Sequence, residues 1–272
     1  MKLLILKQVC LKWALFLFAI TTPISSWAAF HIVLDPGHGG TDTGAVHGHI
    51  KEADLVLRVA NKLKILLEKK NDFQISMTRS ADRAVSLPDR VKFAETSKAD
   101  LFVSLHANAA SDKRARGVEF FFQNNLPPDE ESLYLANQEN QAMQNSGKDE
   151  STAAAAASAS NDLSKKSDVA AIIEDLHRQS RMFSSLRLTR TLTHTWASDG
   201  KASQATIKQA PFYVISKTSM PAVLIEIGFL TNPREAKRLL SSEYQNDLAQ
   251  KIYSALVAYK EKMDNAETKT LN

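Results

Sequence analysis

The sequence predicts an α/β fold: a single domain with a mostly parallel, twisted sheet flanked by helices, plus a helical insertion. Short apolar, strand-like runs alternate with helical patterns from residue 31 onward, as in a chain of βαβ units. The 272 residues are 44% hydrophobic and 24% charged, an ordinary globular composition that excludes collagen-like, coiled-coil and wholly disordered chains. The alternation lapses from Asn124 to about Ser198, which marks the insertion.

The first 28 residues stand apart. Lys2, Lys7 and Lys12 accompany an apolar run from Trp13 to Ile20, Pro23 breaks it, and Ser26-Trp27-Ala28 sets small residues at the outer positions. This is the pattern of a secretory signal cleaved after Ala28. The run is far shorter than the ~20 residues that span a bilayer, so the mature chain is expected to be exported and not membrane-spanning. The only cysteine, Cys10, lies inside the signal and follows Gln8-Val9, not the small residue of a lipoprotein signal. No disulfide or thiolate metal site is then expected, and any metal must use His, Asp or Glu. Lys+Arg 34 against Asp+Glu 30 gives +4, and loss of the three signal lysines leaves 31 against 30, or +1, so the basicity says little about nucleic acid, and no nucleic-acid partner is expected.

Strands are expected at 31–34, 73–78, 101–105, 117–122, 212–215 and 222–227. Residues 52–69 carry Leu55, Val56, Val59, Ala60, Leu63, Leu66 and Leu67, an amphipathic helical stripe. Pro88 opens a helix to residue 97 and Pro233 one to residue 240, since proline suits a first helical turn. Residues 244–260 repeat apolar residues at helical spacing, and 263–272 read as a polar tail. Within the insertion, 131–144 and 168–194 read as helices around an alanine-, serine- and lysine-rich stretch. Long insertions in compact domains are more often functional than idle.

The candidate chemistry sits where predicted strands end. His38 lies in Asp35-Pro36-Gly37-His38-Gly39-Gly40, a glycine-permitted turn directly after the first strand and without the spacing of a phosphate loop. Alone it is equally a polar loop residue. Glu52 opens the long helix, where the helix dipole is the ordinary explanation of a carboxylate. His106 ends the run 101–105. In open α/β sheets the C-terminal strand ends form the ligand crevice, so His38 and His106 can converge there. Two His and one Glu are the ligand set of many catalytic zinc sites. Glu226 interrupts the apolar run Ala222-Val223-Leu224-Ile225-Glu226-Ile227. A buried carboxylate is costly unless paired, here with Arg79 or another base, or put to use as a general base. His47 and His49 compete as ligands but fit a surface loop better, and His31, His177 and His194 have no evident partner.

Leu34-Asp35-Pro36-Gly37-His38-Gly39-Gly40, Lys51-Glu52-Ala53-Asp54-Leu55, Ser104-Leu105-His106-Ala107-Asn108 and Leu224-Ile225-Glu226-Ile227-Gly228-Phe229-Leu230-Thr231-Asn232 resemble, in order and context, the zinc N-acetylmuramoyl-L-alanine amidases of the amidase type 3 family. The similarity runs from about residue 31 to residue 260. It implies a catalytic domain over 29–262, one Zn2+ per chain on His38, Glu52 and His106, and Glu226 as catalytic acid/base. The implied substrate is peptidoglycan, at the amide joining the lactyl group of N-acetylmuramic acid to L-alanine of the stem peptide. Asp35 and Asn108 are the expected supports of the histidine tautomers.

The insertion 124–198 resembles the helical segment by which cell-division amidases of this type cover their zinc until a LytM-type activator displaces it. The resemblance implies an autoinhibitory lid over 129–183, with Glu139, Glu174 or Asp175 approaching the metal; an ordinary surface excursion is the alternative. The first strand follows directly on the signal, leaving no N-terminal targeting domain, so a diffusing periplasmic monomer is expected. The rival functions are a peptidoglycan-binding module without turnover and a zinc peptidase or deacetylase of the same fold.

Overall fold

The structure, a computed structural model, describes residues 29–145, 168–197 and 205–270. The signal reading of residues 1–28 and the low-complexity stretch 146–167 lie outside the described residues. A six-stranded sheet has the order β4-β1-β5-β8-β6-β7. Its members are β1 (Phe30–Pro36), β4 (Phe73–Met77), β5 (Leu101–Asn108), β6 (Val118–Phe122), β7 (Ala205–Gln209) and β8 (Ala222–Phe229). β4, β1, β5 and β8 are parallel, whereas β6 pairs antiparallel with β8 and β7 follows β6 in parallel. The mostly parallel sheet is thus as the sequence predicts, with one reversal. A small hairpin, β2 (Val46–His47) and β3 (Ile50–Lys51), lies between β1 and the first helix.

Helices cover both faces. On one side α1 (Glu52–Leu67), the C-terminal half of α4 (Asp168–Ala197) and α7 (Ser242–Thr270) pack on Leu34, Val103, Phe120 and Ile225, burying Leu55, Val59, Leu63, Leu192, Trp196, Ile252 and Leu256. The expected stripe of α1 is the buried one, because residues three and four apart share a helix face. Emptying one such position, as in Leu63→Ala, costs about 2–5 kcal/mol. On the other side α2 (Leu87–Thr96), α3 (Glu130–Asn145) and α5 (Tyr213–Ser216) cover Val33, Phe102, Phe121 and Leu224. α6 (Pro233–Leu240) leads from β8 into α7. α2 begins one residue before Pro88, with Ser86 as its cap accepting from the Asp89 N–H at 3.3 Å.

Three expectations are corrected. The apolar run 212–215 is the buried turn of helix α5 and not a strand; a run of four apolar residues does not distinguish the two. The strand at that place in the chain is β7, a polar, partly exposed edge strand without the apolar pattern of a core strand. The stretch read as a polar tail continues α7 as far as Thr270. Part of the expected insertion also belongs to the core: Leu188, Leu192 and Trp196 of α4 are buried, and Trp196 meets Phe120 edge-on at 5.2 Å.

Candidate metal centre

Strand alternation decides which side chains meet. In β1, β5 and β8 Leu34, Val103 and Ile225 enter the α1 core, so Asp35, Ser104, His106 and Glu226 on the alternate positions face α2 and α3. In-register pairing sets His106 beside Glu226 and Glu226 beside Glu119, one row across β5, β8 and β6. The row lies at the C-terminal end of β5 and β8, where the sequence places the crevice.

His38 stands in the turn after β1 with φ of 58°, a left-handed conformation rare outside glycine. Two buried arginines hold that turn by its carbonyls. Arg79 donates to Pro36 O at 2.8 Å, Gly37 O at 2.7 Å and Ala53 O at 2.7 Å, so the same guanidinium grips the His38 turn and the start of α1. Arg90 donates to His38 O at 2.7 Å and Pro36 O at 2.8 Å. Its charge is met by buried Asp35 at 2.6 Å, which also accepts from Thr78 at 2.6 Å and Ser104 at 2.9 Å. Burial raises the Asp35 carboxyl, but the charge of Arg90 and these hydrogen bonds outweigh it and hold the group below its ordinary value. Gly37 is required by closeness: a Cβ there would lie 2.3 Å from the His106 ring. Gly44, at φ +61°, wedges between His38 and Glu52, and a Cβ there would come within 2.6 Å of both.

The three expected ligands converge. Glu52 Oε1 lies 3.2 Å from His38 Nε2 and 3.0 Å from His106 Nδ1. Glu139 of α3 joins them, its Oε2 lying 3.3 Å from His38 Nε2 and 3.7 Å from His106 Nδ1. One donor atom from each of these four residues lies within 4.8 Å of the others. Glu52 is fixed by the N–H groups of Ala45 and Ala107, each at 2.9 Å. Asp42 accepts from His38 Nδ1 at 2.9 Å, which turns Nε2 toward the cluster.

The electrostatics match a site for a cation. Burial raises the Glu52 carboxyl, but the charges of His38 and His106 and the hydrogen bond from His106 carry it far below its usual range. Burial lowers His38, but the Glu52 charge and the Asp42 hydrogen bond raise it well above its ordinary value. Glu139 is raised, by burial and by Glu52. His38 Nε2 and Glu139 Oε2 are buried and, despite their closeness, lack hydrogen-bond geometry. Nitrogen and carboxylate atoms that face a common point without bonding one another fit a metal ion, and imidazole with carboxylate suits a borderline cation.

Glu226 is fully buried on the neighbouring strand, and its Oε2 has no hydrogen-bond partner. Burial, then the charges of Glu52, Glu139 and Glu119, push it well above the ordinary glutamate value. The expected alternative partner, Arg79, is engaged with backbone carbonyls instead. A cleft lined by His38, Asp42, Glu52, Ala107, Leu135 and Glu139 opens from the cluster to solvent.

Two expected supports are corrected. Asp35 serves Arg90 and Thr78, not a histidine, and Asn108 donates to Glu119 at 3.1 Å. Asp42, four residues after His38 in the same loop, is the support that sequence reasoning missed, together with Arg90 and Gly44. The signal for Arg90 was a charge at helical spacing from Leu87 and Ala94, on the face of α2 that turns inward. Asp175 bonds Arg178 and Gln179 on the exposed N-terminal part of α4, and Glu174 is exposed there too, so Glu139 is the acid of the expected three that reaches the cluster. His31 bonds Ser76 at 2.9 Å, while His47, His49, His177 and His194 lie outside the cluster.

Comparison with known proteins shows the family to which the fold belongs. Residues 32–258 match the family model described as N-acetylmuramoyl-L-alanine amidase. The amidase AmiA of Escherichia coli K12 is 30% identical over 236 residues, 86% of this chain and 77% of that protein. A probable amidase AmiB of Haemophilus influenzae is 32% identical over 254 residues, 91% of this chain and 56% of its own length. The chain thus spans little more than half of some curated relatives, including 52% of an Escherichia coli AmiC. The crystal structure of an N-acetylmuramoyl-L-alanine amidase from Clostridium difficile 630 superposes with a TM-score of 0.62 at 27% identity, covering 86% of this chain and 98% of that one. With the family model matched along nearly the whole described sheet and its crossover helices, the chain belongs to the N-acetylmuramoyl-L-alanine amidase family of the amidase type 3 class.

Proposed function

We propose that this chain hydrolyses peptidoglycan at the amide between the lactyl group of N-acetylmuramic acid and L-alanine of the stem peptide. The observation that carries the reading is the convergence of His38, His106 and Glu52 beside a buried, unpartnered Glu226. His38 Nε2, His106 Nδ1 and Glu52 would hold one zinc ion. When bound there, zinc would polarise the amide carbonyl and acidify a water, so no nucleophilic Ser or Cys is needed. Glu226 takes the proton of the attacking water and passes it to the leaving nitrogen. A raised carboxyl is suited to that exchange, because a group that both accepts and returns a proton works best near the operating pH. Asp42 keeps the His38 tautomer, and Arg79 and Arg90 keep the turn in place.

The segment 129–183 acts as an autoinhibitory lid, with Glu139 taking the position that substrate needs. α3 docks lightly: Ala136 is buried, Asn140 bonds the backbone of Pro211 at 3.2 Å and Tyr213 at 2.8 Å, and the Lys208–Glu131 pair at 3.2 Å sits at the surface. Exposed pairs of that kind are worth at most about 1 kcal/mol, so a LytM-type activator with a modest preference for the open state suffices to shift the equilibrium. The chain works in the periplasm as a monomer, delivered by residues 1–28; no helix among the described residues is long and apolar enough to cross a membrane.

The test compares residues 29–272 with the same chain whose segment 129–183 is replaced by a short linker, on purified peptidoglycan with zinc. Faster release from the shortened chain, abolished by a chelator and by Glu226→Ala, is expected. Equal rates would refute the lid, and release that survives Glu226→Ala would refute the assigned base.

A further inference from the structure

A groove beyond Glu226 concentrates positive charge that the mechanism does not use. It runs between the loop 109–117 and α6, and Lys113, Arg114, Arg116, Arg234 and Arg238 line it. The acid in its lining, Glu235, is turned away from solvent: its buried carboxylate accepts the N–H of Phe229 at 2.8 Å and of Gly117 at 3.0 Å. Asn232 ties the two walls together, capping α6 through its side-chain oxygen and donating to Ala115 O at 3.1 Å. Arg238 is steadied over the Tyr244 ring at 4.2 Å. Among the described residues the groove's one ion pair joins Arg114 to exposed Asp112 at 3.0 Å. Cations gathered on a fixed frame, with their nearest carboxylate spent on backbone, repel one another until an anion enters.

Position indicates which part of the substrate arrives there. Phe229 lies three residues past Glu226, about 10 Å along a strand, and Gly117 lies two residues before Glu119, the β6 residue that pairs with Glu226. A base that returns its proton to the leaving nitrogen must face the peptide side of the scissile amide, not the glycan side. We propose that this groove binds the carboxylates of the peptide stem and seats the leaving half of the substrate. The assignment of peptide side rests on the amide-hydrolase reading given above; the anion preference of the groove does not.

The test measures co-sedimentation of the full chain with purified sacculi, native or with their carboxylates converted to methylamides, and with phosphatidylglycerol vesicles. The double variant Arg116→Glu/Arg234→Glu is expected to bind native sacculi about tenfold more weakly, with an unchanged melting temperature. Wild type should lose the same factor on amidated sacculi, and the variant nothing further. Indifference of wild type to amidation overturns the proposal, as does a loss by the variant confined to the vesicles, which would assign the groove to a lipid surface. Peptide release by the Glu139→Ala chain is scored in parallel. Carboxylate-dependent binding without release upholds the groove and refutes the hydrolase; release with charge-independent binding refutes the groove alone.

Discussion

At the residue scale, Glu226 is the group whose position has no structural excuse. Its strand is apolar throughout, its carboxylate has an unpartnered oxygen, and three further carboxylates raise it. Glu226→Gln keeps the volume and removes the proton exchange, so turnover should fall by about 10²–10⁴-fold while zinc stoichiometry, read by atomic absorption, stays at the wild-type value. Loss of metal together with turnover would show instead that Glu226 belongs to the ligand set. Asp35 makes the opposite kind of contribution, to stability. Its carboxyl is depressed in the folded state, so the stabilisation is complete above the unfolded value near ~4 and is lost as pH falls through the folded value. Asp35→Asn leaves Arg90 buried against a neutral partner and should destabilise by about 3 kcal/mol at pH 7. Thermal melts of the two proteins should draw together as pH is lowered below about 4; a gap that stays constant across that range would exclude a charge effect. The candidate ligands were legible in the sequence because each stands at the edge of a recognisable run. Asp42 was not, since a carboxylate in a glycine-rich loop looks like any turn residue until the loop's path is known.

At the element scale, α3 is the helix on which the proposed lid turns. It contributes Glu139 to the cluster and little apolar surface to the core, whereas the C-terminal half of α4 is locked in by Leu188, Leu192 and Trp196. The insertion therefore divides into a lightly packed part and a structural part, a division invisible in composition because both halves read as helix. Glu139→Ala in the full chain should raise release from peptidoglycan by about tenfold, corresponding to ~1.4 kcal/mol of lid closure removed. An unchanged rate would mean that Glu139 does not compete with substrate. The exposed Ile172, Ile173 and Leu176 on the first turns of α4 lie within the proposed lid segment and would offer the proposed activator an apolar surface. The long helices were legible from their periodicity. β7 was not, because an edge strand gains its stability from one neighbour's hydrogen bonds and has no need of an apolar pattern.

At the scale of the whole molecule, the parallel strands bring four sequence segments to one end of one sheet face. Residues 38, 52, 106 and 226 are far apart along the chain, yet they meet because β1, β5 and β8 are neighbours and α1 returns from the turn after β1. The order of motifs along the chain pointed to that meeting; the reversal of β6 and β7, which sets Glu119 beside Glu226, did not show in it. The basic groove lies beyond the C-terminal end of β8, where the leaving peptide is proposed to sit. All of this rests on which bond is cut, and the mass of the soluble products released from peptidoglycan decides that most directly. Intact stem peptides with a free L-alanine amino group are expected, absent after Glu226→Ala or chelation. Products that retain the muramic acid, or peptides cut within the stem, would contradict it.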